Sequence, residues 1–286
     1  MSLILVGGAS GNVGSALLKE LRQSGRPARA AYHDPSRTGR ALAAGEDAVT
    51  LDLSRPETLP PALEGVDAVF LLGAMGPDQT TQELNLVEAA VAAGIRRLVK
   101  LSVWRCDEEL TPIARLHRPV ERALEASDLA VTLLRPNFYM QTFSRQMGPS
   151  IRERSLFAQP ALEVPISFVD AADVASVAAR VLTSEGHEGR VHDITGPEAL
   201  TYAQAAGVMT SVLGRPIRYV ALGDEEARAR MLERGLPRFH ADALIDVTRA
   251  YRQGGAERVT QTVRDLTGRD PIDLARFVSN HRDAFA

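Results

Sequence analysis

The 286-residue sequence predicts an α/β protein: a doubly wound parallel sheet followed by a smaller C-terminal α/β lobe. Three observations predict it. Short apolar runs recur through the first half and end at turn residues. Amphipathic helical patterns alternate with those runs, which is the pattern of a parallel sheet covered on both faces. After about residue 137 the rhythm changes, and strand and helix signals continue without the parallel-sheet pattern.

Taken in order, residues 2–6 form an apolar strand ending at Gly7-Gly8. Val13, Ala16, Leu17 and Leu21 then share one helical face, and Gly25 closes the helix as a C′ glycine. Residues 28–32, 48–51 and 66–72 read as the second, third and fourth strands. Residues 83–93 carry a helix closed by Gly94. Residues 96–103 make a fifth strand, 112–127 a helix and 129–135 a sixth strand before Pro136. Beyond it, 172–183 reads as helix and 190–194 as strand. Thr201 is an N-cap for a helix running to Leu213, with Gly214 as its stop. Residues 217–221 read as strand, and 224–234 and 240–252 as charged helices. No repeat or low-complexity linker is evident. These elements place a first domain at 1–150 and a smaller lobe at 151–286, with part of 164–185 packing back on the first domain.

Between the first strand and first helix lies Gly8-Ala9-Ser10-Gly11-Asn12-Val13-Gly14, a G-x-x-G-x-x-G turn. Strand, turn and helix in register are the context such a motif needs. Glycine suits a turn with φ > 0, a close approach to pyrophosphate and tight helix–strand packing. The helix start then offers free N–H groups to phosphate. A Rossmann-type dinucleotide site at Gly8, Gly11, Val13 and Gly14 follows, with Ser10 and Asn12 as side-chain donors. Gly73, after the fourth strand, joins them.

The second strand ends Ala30-Ala31-Tyr32 without the acidic residue that favours NAD. His33, Ser36 and Arg37 follow and can surround a 2′-phosphate; Asp34 reads as a turn initiator. NADP(H) is therefore the expected cofactor, with NAD(H) the alternative. Asp52 and Leu53, after the third strand, fit an adenine contact.

Composition excludes several classes. Net charge is −3 with no basic stripe, so no field holds nucleic acid directly. Cys106 is the lone cysteine, which rules out an intrachain disulfide and a cysteine metal cluster. No Cys/His group has metal-ligand spacing, so no metal is expected. The N-terminus lacks the basic region and apolar length of a signal peptide, and no apolar run reaches spanning length, so a cytoplasmic protein without a membrane segment is expected.

No tyrosine has a lysine four residues on, so the Tyr-x-x-x-Lys pair of ordinary short-chain dehydrogenases is missing. Alcohol oxidation by a tyrosine base is disfavoured, as is sugar-nucleotide epimerisation. Ser102 ends the fifth strand, a place that faces the nicotinamide in related folds. It can bond the carboxamide or a substrate, or simply the backbone. Lys100 shares its facing by strand period, and its head is expected to snorkel from a packed stem. Asn137, Phe138, Tyr139 and Gln141 follow the sixth strand and are expected to line the cleft. Phe138 would cover the nicotinamide, and Tyr139 would donate to a developing anion; lobe packing is the alternative for this aromatic pair. His117 is the acid/base candidate, because an ordinary imidazole titrates near neutrality. Its other reading is a helix-kink residue before Arg118-Pro119. His187, His192, His240 and His281 lack partners at meaningful spacing.

Several segments together resemble the NmrA-like group of atypical short-chain dehydrogenase/reductases. They are the glycine turn, His117-x-x-Val120-Glu121 with Leu124 and Ala126-Ser127, Thr132–Gln141, Ser167-Phe168-Val169-Asp170 with Asp173-Val174-Ala175, and Leu266–Pro271. Within that group the chain is most similar to the triphenylmethane reductase and NAD(P)H:quinone oxidoreductase branch. In isoflavone-reductase relatives a catalytic lysine falls at the position of His117. The resemblance implies a reductase passing hydride from NADPH to an electron-poor conjugated or aromatic small molecule such as a quinone, imine, dye or enone. The group also contains proteins that bind NAD(P) without turnover, so a non-catalytic NAD(P)-sensing regulator is the alternative. A monomer or homodimer is expected.

Overall fold

A computed structural model describes residues 2–286. The first half alternates strand and helix: β1 (Ile4–Val6), α1 (Asn12–Gln23), β2 (Ala28–Tyr32), α2 (Pro35–Ala43), β3 (Ala48–Thr50), α3 (Leu59–Leu63), β4 (Ala68–Leu71), α4 (Gln79–Ala92), β5 (Arg97–Leu101), α5 (Pro112–Glu125) and β6 (Ala130–Pro136). The second half holds α6 (Gly148–Arg154), β7 (Leu156–Pro160), α7 (Ala171–Thr183), β8 (Arg190–Ile194), α8 (Tyr202–Leu213), β9 (Arg218–Leu222), α9 (Asp224–Glu233), α10 (Arg238–Tyr251), α11 (Thr262–Thr267) and α12 (Leu274–Asn280).

The chain divides into two compact units. The first comprises Met1–Glu109, Ile113–Arg135 and Val174–Asp193; the second comprises Leu110–Pro112, Pro136–Asp173 and Ile194–Ala286. The boundary expected at residue 150 is thus corrected. The chain leaves the first unit at β6, and α7 and β8 return to complete its sheet.

In the first unit the sheet order is β3-β2-β1-β4-β5-β6-β8. Pairings among β1 to β6 are parallel, with Val6 opposite Ala30 and Phe70. The order reverses between β1 and β4, so a crevice opens beyond the C-terminal ends of those two strands. Leu59, Leu86, Val87, Val120 and Leu124 bring α3, α4 and α5 onto one apolar cluster with Leu5, Val69, Leu98 and Leu133. Such burial stabilises by about 1.5–3 kcal/mol per large side chain.

The stretch after β2 is helical rather than a loop. Asp34 caps α2 by accepting from Ser36 N at 2.8 Å, and Pro35 opens the helix. Only Thr38 and Ala41 of α2 are buried, so it carries little apolar pattern to read.

The second unit is built on a parallel β7–β9 pair. Phe143, Phe157, Phe168 and Tyr202 pack edge-on or tilted with centroids 5.1–6.3 Å apart. Thr201 and Gln204 form a reciprocal capping box on α8.

Candidate active site

The glycine turn sits at the β1/β4 switch. Gly8 has φ +63°, and a Cβ there would lie 2.8 Å from the Leu72 side chain. A Cβ on Gly14 would lie 2.2 Å from the Gly8 carbonyl oxygen, so only glycine lets α1 approach the turn. Gly7, which the spacing rule passes over, is equally confined: its Cβ would stand 2.9 Å from Phe70 O. Gly11 is the N-cap of α1 and supplies no side-chain cap. The first-turn amides, led by Asn12 and Val13, thus lack intrahelical acceptors. Ser10 is exposed and Asn12 half-buried at the mouth. An uncapped helix start without side-chain bulk can hold an anion.

Beyond β2, the side chains of His33 and Arg37 are 79% and 53% exposed, so both are free to turn toward a ligand. Arg37 Nε lies 3.9 Å from Asp34 Oδ2, and His33 Nδ1 lies 3.8 Å from Asp52 Oδ1. Asp34 and Asp52 are each held by the serine two residues on, which keeps both carboxyls below the usual range. Leu53 is half-buried, and its carbonyl accepts from Asn85 Nδ2 at 2.9 Å.

The structure joins Gly73 to a buried network absent from the sequence expectations. Glu83 Oε1 accepts from Gly73 N and from Lys100 Nζ, each at 3.0 Å. Lys100 Nζ is also 3.0 Å from His117 Nδ1 and donates to Leu101 O. His117 Nε2 meets the Gln79 carboxamide at 3.0 Å. Lys100 and Glu83 are fully buried. A Cβ on Gly73 would strike Glu83 Oε1 at 2.7 Å. The network therefore pins the loop after β4 to α4, β5 and α5.

Two expectations are corrected here. Lys100 does not snorkel; its ammonium ends in the Glu83 ion pair. His117 does not titrate near neutrality: burial, and then the Lys100 charge, hold its pKa well below 6.5. It is a neutral imidazole with both nitrogens engaged. Lys100 Nζ faces the ring's Nδ1 and Gln79 Nε2 faces its Nε2, while Gln79 Nε2 also donates to Glu83 Oε1 at 3.3 Å and Gln79 Oε1 has no hydrogen-bond partner.

Ser102 follows β5, and its N–H donates to Leu134 O at 2.8 Å. Its hydroxyl is buried beside Glu121 and Cys106 without a hydrogen bond of ordinary geometry. Glu121, one helical turn past His117, takes a bidentate pair from Arg135 at 3.0 and 2.7 Å. Arg135 also donates to Asp107 at 2.6 Å. Burial pushes the Cys106 thiol up to about 12, so it stays protonated and unreactive. Between β5 and α5, Arg105 and Glu109 both adopt left-handed backbone, at φ 53° and 50°. Each costs about 1–2 kcal/mol.

In the second unit, Tyr139 pairs with Val169 in an isolated parallel bridge. Its hydroxyl is buried and has no partner, and burial raises its pKa. It is a donor held protonated. Phe138 packs edge-on against Phe168 and Tyr251. Asn137 is corrected from a cofactor contact to a hub of this unit. Its Nδ2 donates to Ser167 Oγ and Ala256 O, and its Oδ1 accepts from Phe138 N and from Tyr251 OH at 2.6 Å. Gln141 likewise spends its amide on Asp170 and Ala171 N.

The fold and the glycine turn define a dinucleotide-binding α/β protein, and residues 1–267 match the NmrA-like family, to which the chain belongs. It is 34% identical over 284 residues to the NAD(P)H azoreductase of Xenophilus azovorans, a match covering 99% of both chains. The NADPH-dependent quinone oxidoreductase of Escherichia coli, solved with NADPH, superimposes with a TM-score of 0.87 at 28% identity, covering 98% of this chain and 99% of that one. The Citrobacter sp. triphenylmethane reductase complexed with NADP(H) superimposes with a TM-score of 0.86 at 22% identity, over 98% and 100% of the chains, a likeness of fold. No helix among the described residues is long and apolar enough to cross a membrane.

Proposed function

We propose that this protein is an NADPH-dependent reductase that passes hydride to an electron-poor conjugated or aromatic small molecule of the quinone, azo or other dye, imine or enone class. One observation carries the reading. An uncapped helix start, cleared of side chains at Gly8 and Gly14, stands at the sheet's switch point in a chain related end to end to an NAD(P)H azoreductase. The residues present fit the dinucleotide. Gly8, Ser10, Gly11, Asn12, Val13 and Gly14 would hold the pyrophosphate, and His33 and Arg37 the 2′-phosphate. Asp52 and Leu53 would flank the adenine, with Gly73 and Phe138 toward the nicotinamide. When bound, NADPH supplies the hydride. The chain supplies placement, and an acceptor of this class needs little proton assistance as hydride arrives. That matches a site without the Tyr/Lys pair. On this reading Tyr139 donates to the reduced acceptor and Ser102 bonds acceptor or carboxamide. Lys100, Glu83, Gln79 and His117 are positioning residues that fix the Gly73 loop.

The test is direct. NADPH binding is measured by fluorescence, and NADPH loss is followed by absorbance against quinones, azo and triphenylmethane dyes, imines and enones. Binding with turnover of at least one class is expected. Tight binding with no turnover of any would move the reading to an NAD(P) sensor.

A further inference from the structure

The second unit contains a cavity of about 310 Å³ whose character is amphipathic. Its floor includes Pro160 of β7, Leu222 of β9 and Met231 of α9. Its rim carries Arg145, Arg230 and Arg234. Arg230 is paired with Glu226 at 2.7 Å. Arg145 and Arg234 are exposed, and among the described residues neither side chain has a carboxylate or hydrogen-bond partner. At the neighbouring helices α9 and α10 other arginines are paired: Arg249 and Arg252 both close on Asp224, and Arg228 on Glu225 and Asp242. Two uncompensated guanidinium groups over an apolar floor are complementary to one kind of molecule. The floor takes an aromatic or aliphatic body, and the planar forks take a sulfonate, carboxylate or phosphate. The volume lies at the low end of small-molecule sites.

We propose that this cavity binds an organic anion with an apolar body, and that it receives the charged end of the acceptor. The second half of this statement rests on the reductase reading above. Arg145 supports the connection, because it lies six residues after Tyr139 on one continuous segment, in the π-helical turn Phe143–Met147.

The probe is 8-anilinonaphthalene-1-sulfonate, titrated by fluorescence beside its uncharged analogue N-phenyl-1-naphthylamine. The wild-type chain is expected to bind the sulfonate at least about tenfold tighter than the amine, an advantage lost in Arg145→Gln/Arg234→Gln. Both positions are exposed, so thermal unfolding should be unchanged. Equal binding of the two probes, or a sulfonate affinity untouched by the double substitution, overturns the site. Turnover is then compared between 1,2-naphthoquinone and its 4-sulfonate with NADPH. The double variant should lower kcat/KM for the sulfonate about tenfold and leave the neutral quinone unchanged. Loss of sulfonate binding with acceptor preference unaltered overturns the assignment to the acceptor. Absence of turnover with either quinone and with the wider acceptor panel overturns the reductase reading, while the fluorescence titration decides the anion site independently.

Discussion

Tyr139 combines two properties that rarely occur together: a phenol oxygen sealed from solvent, and no partner for its proton. Such a group costs about 1–3 kcal/mol in the resting protein. Tyr139→Phe should therefore leave the chain as stable as before, or more so, in urea unfolding. It should lower kcat with a proton-demanding acceptor about 10²-fold while NADPH affinity holds. A fall in stability with full activity would assign the phenol to packing alone. Arg37 tests cofactor choice. Arg37→Ala should raise the Kd for NADPH at least about tenfold and leave that for NADH unchanged. Equal effects on both would place Arg37 away from the 2′-phosphate. The glycines at these positions were legible because their roles are written in backbone geometry. The roles of Asn137 and His117 were not, because each depends on partners more than 15 residues away in the chain: Ala256 and Tyr251 for one, Lys100 and Gln79 for the other.

At the scale of elements, α5 is the informative one. His117 and Glu121, four residues apart, project from one helical face into two separate buried ionic networks. A helix stripe with a histidine and a glutamate in place of leucine weakens the apolar pattern. The helix was legible at 112–127, but its face could not be assigned. The same holds for α4, where Gln79 and Glu83 are buried on a side that periodicity assigns to Leu86 and Val87. The charge balance makes a sharp prediction. Lys100→Met leaves Glu83 buried and uncompensated and should destabilise by about 3–5 kcal/mol in urea unfolding. Lys100→Met/Glu83→Gln should recover a large part of that loss. If the single and double variants unfold alike, Lys100 acts through packing and not through its charge.

At the scale of the molecule, stability should depend on pH through His117. Its folded pKa lies below the unfolded value of 6.5. Between those values the unfolded chain binds a proton that the folded chain refuses. Stability therefore rises with pH through that window and is lost as pH drops below 6.5. Asp173, raised to about 6 by burial, works oppositely: its contribution is lost as pH rises from 3.8 to 6. His117→Gln should flatten the decline below pH 6.5 in unfolding midpoints, and an unchanged slope would mean that the folded imidazole titrates normally. The sheet itself was largely legible, since each strand from β1 to β6 is a local apolar run between turn residues. The unit boundary was not. The expectation that part of 164–185 packs back on the first domain agrees with the return of Val174–Asp193, but nothing local fixes where that return begins; Val174, Val177, Val181 and Leu182 are buried as they would be in either unit.

That return of α7 and β8 has a consequence for synthesis. A ribosome releases the chain from residue 1 onward, so β6 emerges with one side of its hydrogen-bonding edge bare. The partner that covers it, Arg190–Ile194, follows more than 50 residues later. Throughout that interval the nascent sheet presents an open template for another strand. The first unit is thus most exposed to mispairing during translation, when a bound chaperone would have the most to protect.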